Sequence, residues 1–333
     1  MNKSSLITIG LVVIAIIAVV SKSINSSNKD ADPMIGQTIM AQADTTKISN
    51  IEISRDNDHK VSLVMDEKHA WHLQTDNFPA DAAKILQFIE NLTSAKIVRK
   101  MGTNKEIYPS LGLDNATNVV IKAKDQELLH IKIGSQRKGG GAYISLNTND
   151  NSYLLSKNLS VFADANDWEL KVIANVESKD IKTVEFISKS ATSKLTRESA
   201  DKDFLLDGIK EGEELNKSSA NALANILTGI RYTSRVESDN ALAKNALEQA
   251  SKAIITTYDG RTYTVTVGKV GEKDSEKWYV HIDSAGGKED NENFKTYAFI
   301  NSKWSFEVSS YIAQKFIKSR TDFIVPPAKA KNG

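Results

Sequence analysis

The sequence predicts an α+β fold: two tandem repeats, each an antiparallel sheet with packed helices, after one N-terminal transmembrane helix. Three observations carry this. The stretch Trp71 to Val98 (WHLQTDNFPADAAKILQFIENLTSAKIV) returns in diverged form between Phe204 and Val236. Short alternating apolar runs outnumber helical patterns and are joined by tight turns, which favours antiparallel pairing with helices laid on the sheet. Leu6 to Val20 (LITIGLVVIAIIAVV) is apolar and uncharged. At 333 residues the chain has room for about two domains, each with its own core.

The apolar run comes first. As a helix it rises roughly 22 Å, a little short of the hydrocarbon core, and flanking Lys3, Ser21 and Lys22 can extend the span by snorkelling. A cleaved signal peptide is the rival reading. No small-x-small triplet closes the run, and the nearest, Ala41-Gln42-Ala43, lies far downstream, so an uncleaved anchor over residues 1–22 is expected. Lysines on the two flanks do not set orientation. The very short tail before the run places the body on the exported side, in the periplasm of a single-pass inner-membrane protein. Residues 23–47, rich in Ser, Asn, Asp, Gln and Thr, read as a flexible tether.

The first repeat is expected over 48–175 and the second over 176–325. Ile48, Ile51 and Ile53 match Ile181, Val184 and Phe186 at one constant offset, which also carries Trp71 onto Phe204 and Leu73 onto Leu206. A turn at Asp56-Asn57-Asp58 separates the first two strands. After Pro79 a helix follows, capped by Asp81, with Ile85, Phe88, Ile89 and Leu92 on one face. Its counterpart carries Leu223, Ile226, Leu227 and Ile230, with Ser219 as the expected cap. Leu113 to Gly134 and Leu247 to Gly268 read as matching hairpins, turning at Asp125-Gln126 and Asp259-Gly260. Strands at Ala142-Tyr143-Ile144 and Trp278-Tyr279-Val280 come next, then strands holding Tyr153 and Tyr297. Each unit is expected to close with a helix, one near Leu159 to Phe162, the other with Trp304, Val308, Tyr311, Ile312 and Lys315 on a stripe. The tail, 326–333, reads as disordered.

Composition excludes several function classes. Lys plus Arg number 43 against 42 Asp plus Glu, so there is no basic field for nucleic acid. Cysteine is absent, which removes disulfides, thiolate metal sites and a cysteine nucleophile. Ser135-Gln136-Arg137-Lys138 with Ser238-Asp239-Asn240 follows the S-x-x-K and S-D-N order of penicillin-binding proteins. That chemistry needs the serine at a buried helix start, whereas Gly139-Gly140-Gly141 and a strand follow here, and no K-T-G completes the set. Ser199 to Lys202 matches S-x-x-K as well, so the pattern is cheap. His69 and His72 bracket Trp71 at a spacing that puts them on opposite strand faces, and His59, His130 and His281 stand apart in sequence. Glu211, Glu213 and Glu214 read as a solvated turn. Asn147 to Asn151 lacks the glycine and terminal glutamate of a calcium loop. Gly139 to Gly141 has no nucleotide-binding frame around it. Trp71, Trp168, Trp278 and Trp304 read as packing residues, with ligand binding the alternative for any that is exposed. No catalytic, cofactor-binding or metal residue is assigned, no cofactor is expected, and no interaction surface can be named.

Trp71-His72-Leu73, Pro79-Ala80-Asp81, Leu92 followed by Val98, Leu111-Gly112-Leu113-Asp114, Ile131-Lys132-Ile133-Gly134, Tyr143 and Tyr153 together resemble the bacterial family called domain of unknown function 4340. The resemblance covers most of the chain after the anchor. It implies an N-terminal membrane segment, a repeated extracytoplasmic body and, for some members, association with ABC-type export systems of the kind linked to gliding motility. The second repeat departs from the pattern, with Ala246-Leu247-Glu248 in place of the glycine motif.

The expected function is therefore a non-enzymatic, membrane-anchored accessory protein that contacts an integral-membrane complex, a transporter. The alternatives are a module binding a glycan, lipid or peptide of the cell envelope between the repeats, and a hydrolase. A hydrolase requires convergent polar residues in a pocket.

Overall fold

The computed structural model describes residues 32–326, apart from 41–42, 147–149, 190, 249, 273–274 and 288–291. The expected anchor and most of the tail therefore lie outside the described residues, as does part of the Asn147 to Asn151 loop. Among the described residues no helix is long and apolar enough to cross a membrane. The chain divides into two compact units between Leu170 and Lys171.

The first unit contains β1 (Asn50–Ser54), β2 (Lys60–Met65), β3 (Trp71–Leu73), α1 (Ala82–Ser94), β4 (Ile97–Gly102), α2 (Tyr108–Leu111), β5 (Thr117–Ala123), β6 (Gln126–Gln136), β7 (Ala142–Leu146) and β8 (Ser152–Leu155). Its strands form an antiparallel sheet in the order β3-β2-β1-β5-β6-β7-β8-β4. Alternation sets which face is buried: Ile51, Ile53, Leu63, Val119, Ile121, Ile131 and Ile133 point into the core, with partly exposed Glu52, Val120 and Lys132 between them. α1 starts where Asp81 accepts a hydrogen bond from the Lys84 N–H at 3.2 Å, and it buries Ile85, Phe88 and Leu92. The small α2 lies on the opposite face, where Tyr108 and Leu111 pack with Leu113, Ala116 and Tyr143.

The second unit contains β9 (Val172–Ala174), β10 (Ile181–Ile187), β11 (Thr192–Thr196), β12 (Leu205–Leu206), α3 (Lys217–Asn221), β13 (Ile230–Arg231), β14 (Ser234–Glu237), α4 (Ala241–Glu248), β15 (Ser251–Thr257), β16 (Thr262–Val270), β17 (Lys277–Ala285), α5 (Glu292–Lys303), β18 (Trp304–Val308) and α6 (Ser310–Lys315). Its large sheet runs β12-β11-β10-β15-β16-β17-β18-β14, the strand order of the first unit element for element. The two-fold repetition read in the sequence is thus a repetition of topology.

Several elements differ from the sequence reading. The second-unit helix is capped by Asn216, which accepts from the Ser219 N–H at 3.1 Å, so Ser219 is not the cap. That helix ends at Asn221 and tightens into a 3-10 turn. Leu223, Ile226, Leu227 and Ile230 are all buried, but Ile230 reaches the core from β13. The β5–β6 turn sits at Lys124-Asp125, with Lys124 in the left-handed region at φ 52°, one residue before the expected pair. Tyr297 lies in α5, a helix inserted before the last strand of the second sheet. Trp304 and Val308 sit on β18, because their spacing of four satisfies period two as well as a helix, and buried Phe306 between them decides for a strand. Only Ser310–Lys315 is helical, and Tyr311 is exposed. No helix forms at Leu159 to Phe162; a single 3-10 turn, Ala165–Asp167, precedes the buried Trp168.

The units open and close on segments with no periodicity to reveal them. Residues 32–40, read as part of the tether, are instead folded against the first unit. The Gly36 N–H donates to the Ile97 carbonyl at 2.8 Å, the Ile97 N–H donates to Gln37 at 2.9 Å, and Ile39 and Met40 are buried. In the second unit β9 plays this part, pairing with β13, and the Tyr232 N–H donates to the Lys171 carbonyl at 3.2 Å. A boundary at 175/176 would cut β9 from its partner. The closing segments match too. Asp81 N–H donates to Trp168 at 2.7 Å and Leu170 N–H to Pro79 at 2.9 Å; Asn216 N–H donates to Phe323 and Val325 N–H to Glu214, both at 2.8 Å. Residues 323–325 are therefore fixed up to the edge of the tail.

One repeated glycine has a steric cause. A Cβ on Gly134 would lie 2.4 Å from the Leu111 carbonyl oxygen, and one on Gly268 would lie 1.8 Å from that of Ala246. In each unit the backbone of the small outer helix rests directly on the sheet, so only glycine fits in the strand beneath it.

Candidate functional site

A shallow open groove of about 370 Å³ lies in the second unit. It lies where β17, β18 and α6 meet. Trp278 forms part of its wall, with Thr233, Glu276, Lys277, Glu307, Ser309 and Ser310 around it. Strand register places Trp278 opposite Lys269 on one side and Val308 on the other. Lys269 Nζ stands 5.4 Å from the indole, a cation–π distance, and pairs with Glu276 at 2.5 Å. Lys277 reaches Glu307 at 3.3 Å, and the Ser234 hydroxyl donates to the same carboxylate at 3.2 Å. Ser309 caps α6 by accepting from the Ile312 N–H at 3.3 Å.

These pairings make the wall locally neutral, with two Lys–Glu pairs flanking a half-buried indole. Such a surface favours an uncharged ligand that combines an apolar face with hydroxyls or amides, and disfavours a highly charged one. In the first unit the position matching Trp278 is the fully buried Ala142.

A second polar concentration surrounds the buried Arg261. Its guanidinium reaches Asp259 at 2.9 Å and Asp180 at 3.0 Å, while the Thr257 hydroxyl also donates to Asp259 at 2.5 Å. Burial pushes the Asp259 carboxyl up, but bonds from Arg261 and Thr257 outweigh it and hold the group below the usual carboxylate range. Arg197, also buried, donates to the carbonyls of Ile181, Ala200 and Ser178 and lies 4.9 Å from the Phe204 ring centroid. The two arginines tie turns to the sheet, each guanidinium nitrogen bonding within the chain, so their role is structural.

The sequence candidates fall as follows. Ser135 is the penultimate residue of β6 and Lys138 lies in the turn beyond, not at a helix start. Ser199 to Lys202 is a turn in which the Ser199 hydroxyl donates to Asp201. Asn240 caps α4, accepting from the Leu242 and Ala243 N–H groups. His69 is in the β2–β3 turn at φ 63° rather than in a strand, so the opposite-face argument does not apply to it. His72 contacts Asp66 at 3.1 Å, His59 contacts Asp56 at 2.8 Å, and His281 lies 3.4 Å from Asp283. His130 is 3.7 Å from Glu127. Among the described residues no group of three or more His, Cys, Asp or Glu is placed to hold a metal. Glu213 pairs with Arg320, and the Lys210 N–H and that guanidinium hold its carboxyl below the usual range. Gly139, Gly140 and Gly141 all have positive φ in the loop between β6 and β7. Trp71, Trp168 and Trp304 are buried, as packing residues should be; Trp278 alone of the four is half-buried. It falls in the same alternating set as buried Val280 and Ile282, which hides that difference in the sequence.

The family described as Domain of unknown function (DUF4340) matches residues 71–250. The chain belongs to the DUF4340 family. The match starts at β3 of the first unit and ends just before β15 of the second, so it spans the boundary between repeats. It takes in the Gly112 and Gly134 motifs but stops short of the Trp278 groove. No curated protein and no solved structure matches this DUF4340 chain.

Proposed function

We propose that this DUF4340 chain is a membrane-anchored, extracytoplasmic accessory protein, an auxiliary component of an ABC-type transport system, and that its two α+β units form a non-catalytic interaction body in the periplasm. The observation that carries the reading is the order of parts. An apolar run at Leu6 to Val20 is followed, a few residues later, by a segment paired to the first sheet, and then by a duplicated unit. Duplicated folds offer two related surfaces to one partner, and an anchor raises the local concentration of those surfaces at the membrane. The link to ABC export rests on the family resemblance.

The test is a crosslinked pull-down of the full-length protein from native membranes, beside a version lacking Met1 to Lys22. Transporter subunits should come down with the full chain and be lost or reduced with the truncated one. Recovery of the bait alone in both cases would sink the accessory reading.

The Trp278 groove favours a second reading, in which the body also binds a neutral envelope saccharide or peptide. Titration with soluble cell-wall glycan fragments should then shift Trp278 fluorescence, and Trp278→Ala should abolish the shift while leaving the circular dichroism spectrum intact. An unchanged spectrum across the fragments would remove this reading.

A further inference from the structure

We infer that the outer edge of β12, in the second unit, binds an extended basic peptide that adds a strand to the sheet there. A difference between the two units carries this, and it depends on neither the anchor nor the Trp278 groove. In the first unit the matching edge, that of β3, is closed by its own chain. The Gln74 N–H donates to Ser62 at 2.9 Å, so Leu73, opposite Leu63, turns its own N–H and C=O away from β2. Both outward groups are satisfied: the Leu73 N–H donates to the Phe78 carbonyl at 2.8 Å, and the Leu73 carbonyl accepts the Asn77 N–H at 2.9 Å. Two residues earlier, the Trp71 carbonyl accepts the Ala80 N–H at 2.8 Å, and Phe78, Pro79 and Ala80 are all buried.

The strand β12 has the same register without the closure. The Asp207 N–H donates to Lys194 at 2.9 Å, so Leu206, opposite Leu195, also turns its N–H and C=O outward. The helix caps align Asn216 with Asp81, which makes residues 213–215 the counterpart of 78–80. Here the closing bonds are missing. Among the described residues neither outward group of Leu206 nor the Phe204 carbonyl has a partner matching those of Leu73 and Trp71, and no bridge like that of His72 with Pro79 joins Leu205 to Glu214. The connection explains why: four residues, 74–77, separate Leu73 from Phe78, but six, 207–212, separate Leu206 from Glu213. The longer turn is held elsewhere, by Arg320, which donates to the Asp207 carbonyl at 3.1 Å, to the Gly208 carbonyl at 2.8 Å and to the Glu213 carboxylate. Glu213, only partly buried, takes the place of the fully buried Phe78, and Glu214 is exposed where Pro79 is not. Leu205, on the open edge, is 64 % exposed, and Ile209 in the turn is exposed as well.

An open edge flanked by apolar side chains is a template for one more strand, with main-chain bonds supplying affinity and alternate side chains selectivity. Charge then selects the occupant. Residues 198–214 carry seven carboxylates against two lysines, Lys202 and Lys210. Lys217 and Arg320 come in from outside that stretch and pair with Asp203 and Glu213 alone. A second copy of the chain would set like charge against like at this edge, whereas a peptide alternating basic and apolar residues complements both features.

The test uses the full chain in a nonionic detergent and a fluorescently labelled peptide alternating Lys and Val, read by anisotropy and by hydrogen–deuterium exchange. Binding should slow exchange over residues 204–206 and leave Trp71–Leu73 unchanged. N-methylation of alternate peptide nitrogens, and separately Leu205→Lys, which puts a charge at an already exposed position, should each weaken binding by about tenfold or more. A Glu–Val peptide should bind far more weakly than the Lys–Val one. Absence of Lys–Val binding, binding that leaves exchange over 204–206 unchanged, or equal binding of the N-methylated peptide overturns the proposal. Protection of 204–206 that grows with protein concentration in the absence of peptide gives the edge to a second copy and overturns it too.

Discussion

Replacing Trp168 with alanine tests whether the closing segment of each unit is part of its core. The indole is 1 % exposed, meets Phe88 edge-on at 5.5 Å and donates from Nε1 to the Phe162 carbonyl at 2.8 Å. Truncating a large aromatic in a packed core costs about 3–5 kcal/mol, and the lost hydrogen bond adds about 1 kcal/mol. The backbone bond from Asp81 to the carbonyl of residue 168 survives, so the start of α1 stays in place. The total, about 4–6 kcal/mol, corresponds to a fall of about 2–3 M in the urea midpoint at a slope of about 2 kcal/mol/M. Phe323 stands in the matching position of the second unit, 1 % exposed with its ring centroid 5.7 Å from that of Phe186, and Phe323→Ala should cost that unit about 3–5 kcal/mol. Urea unfolding of the chain without Met1–Lys22, followed by far-ultraviolet circular dichroism, reads both. A loss below about 1 kcal/mol in either variant would refute the claim that these segments complete the cores.

The remaining predictions concern the same framework. Gly134→Ala and Gly268→Ala should each destabilise by about 1–3 kcal/mol or more, because the new methyl meets a helix carbonyl; thermal melts would show it, and a wild-type Tm for either would contradict the contact. Arg261→Met keeps the aliphatic volume but strands Asp180 and Asp259. Since those carboxylates are 33 % and 40 % exposed, the expected loss is about 1–3 kcal/mol rather than the 3–5 kcal/mol of a fully buried pair. Asp259 sits below its unfolded pKa when folded, as does Asp32, whose chief cause is the Lys100 bond. Their stabilisation is therefore complete above about pH 4 and is lost as pH falls through the folded value. Tm measured against pH should drop in acid, and Asp259→Asn should flatten that drop in the second unit.

The duplication, the sheet-plus-helix class and most core positions were legible in the sequence, because a strand or helix with one buried face must repeat its apolar residues every two or every three to four positions. Asp81 was legible as a cap for the same local reason. Trp304 to Val308 was not, since a pair four apart fits both periods, and the burial of Phe306 between them and the pairing with β17 and β14 appear only in the fold. Ser219 misled because Asn216, three residues earlier, satisfies the helix start equally well in sequence. The Trp278 groove was hidden because Trp278 keeps the alternation of a core strand and differs only in lying at the sheet's end.

By itself, then, the sequence determined that two copies of one unit exist, what class of fold each adopts and which residues face inward, all consequences of local periodicity. Only the tertiary structure decided where each unit begins and ends. Residues 32–40 and β9, and the closing segments at Trp168 and Phe323, are held by backbone hydrogen bonds to residues distant in sequence. Such bonds use groups that every residue carries and leave no mark in composition or periodicity.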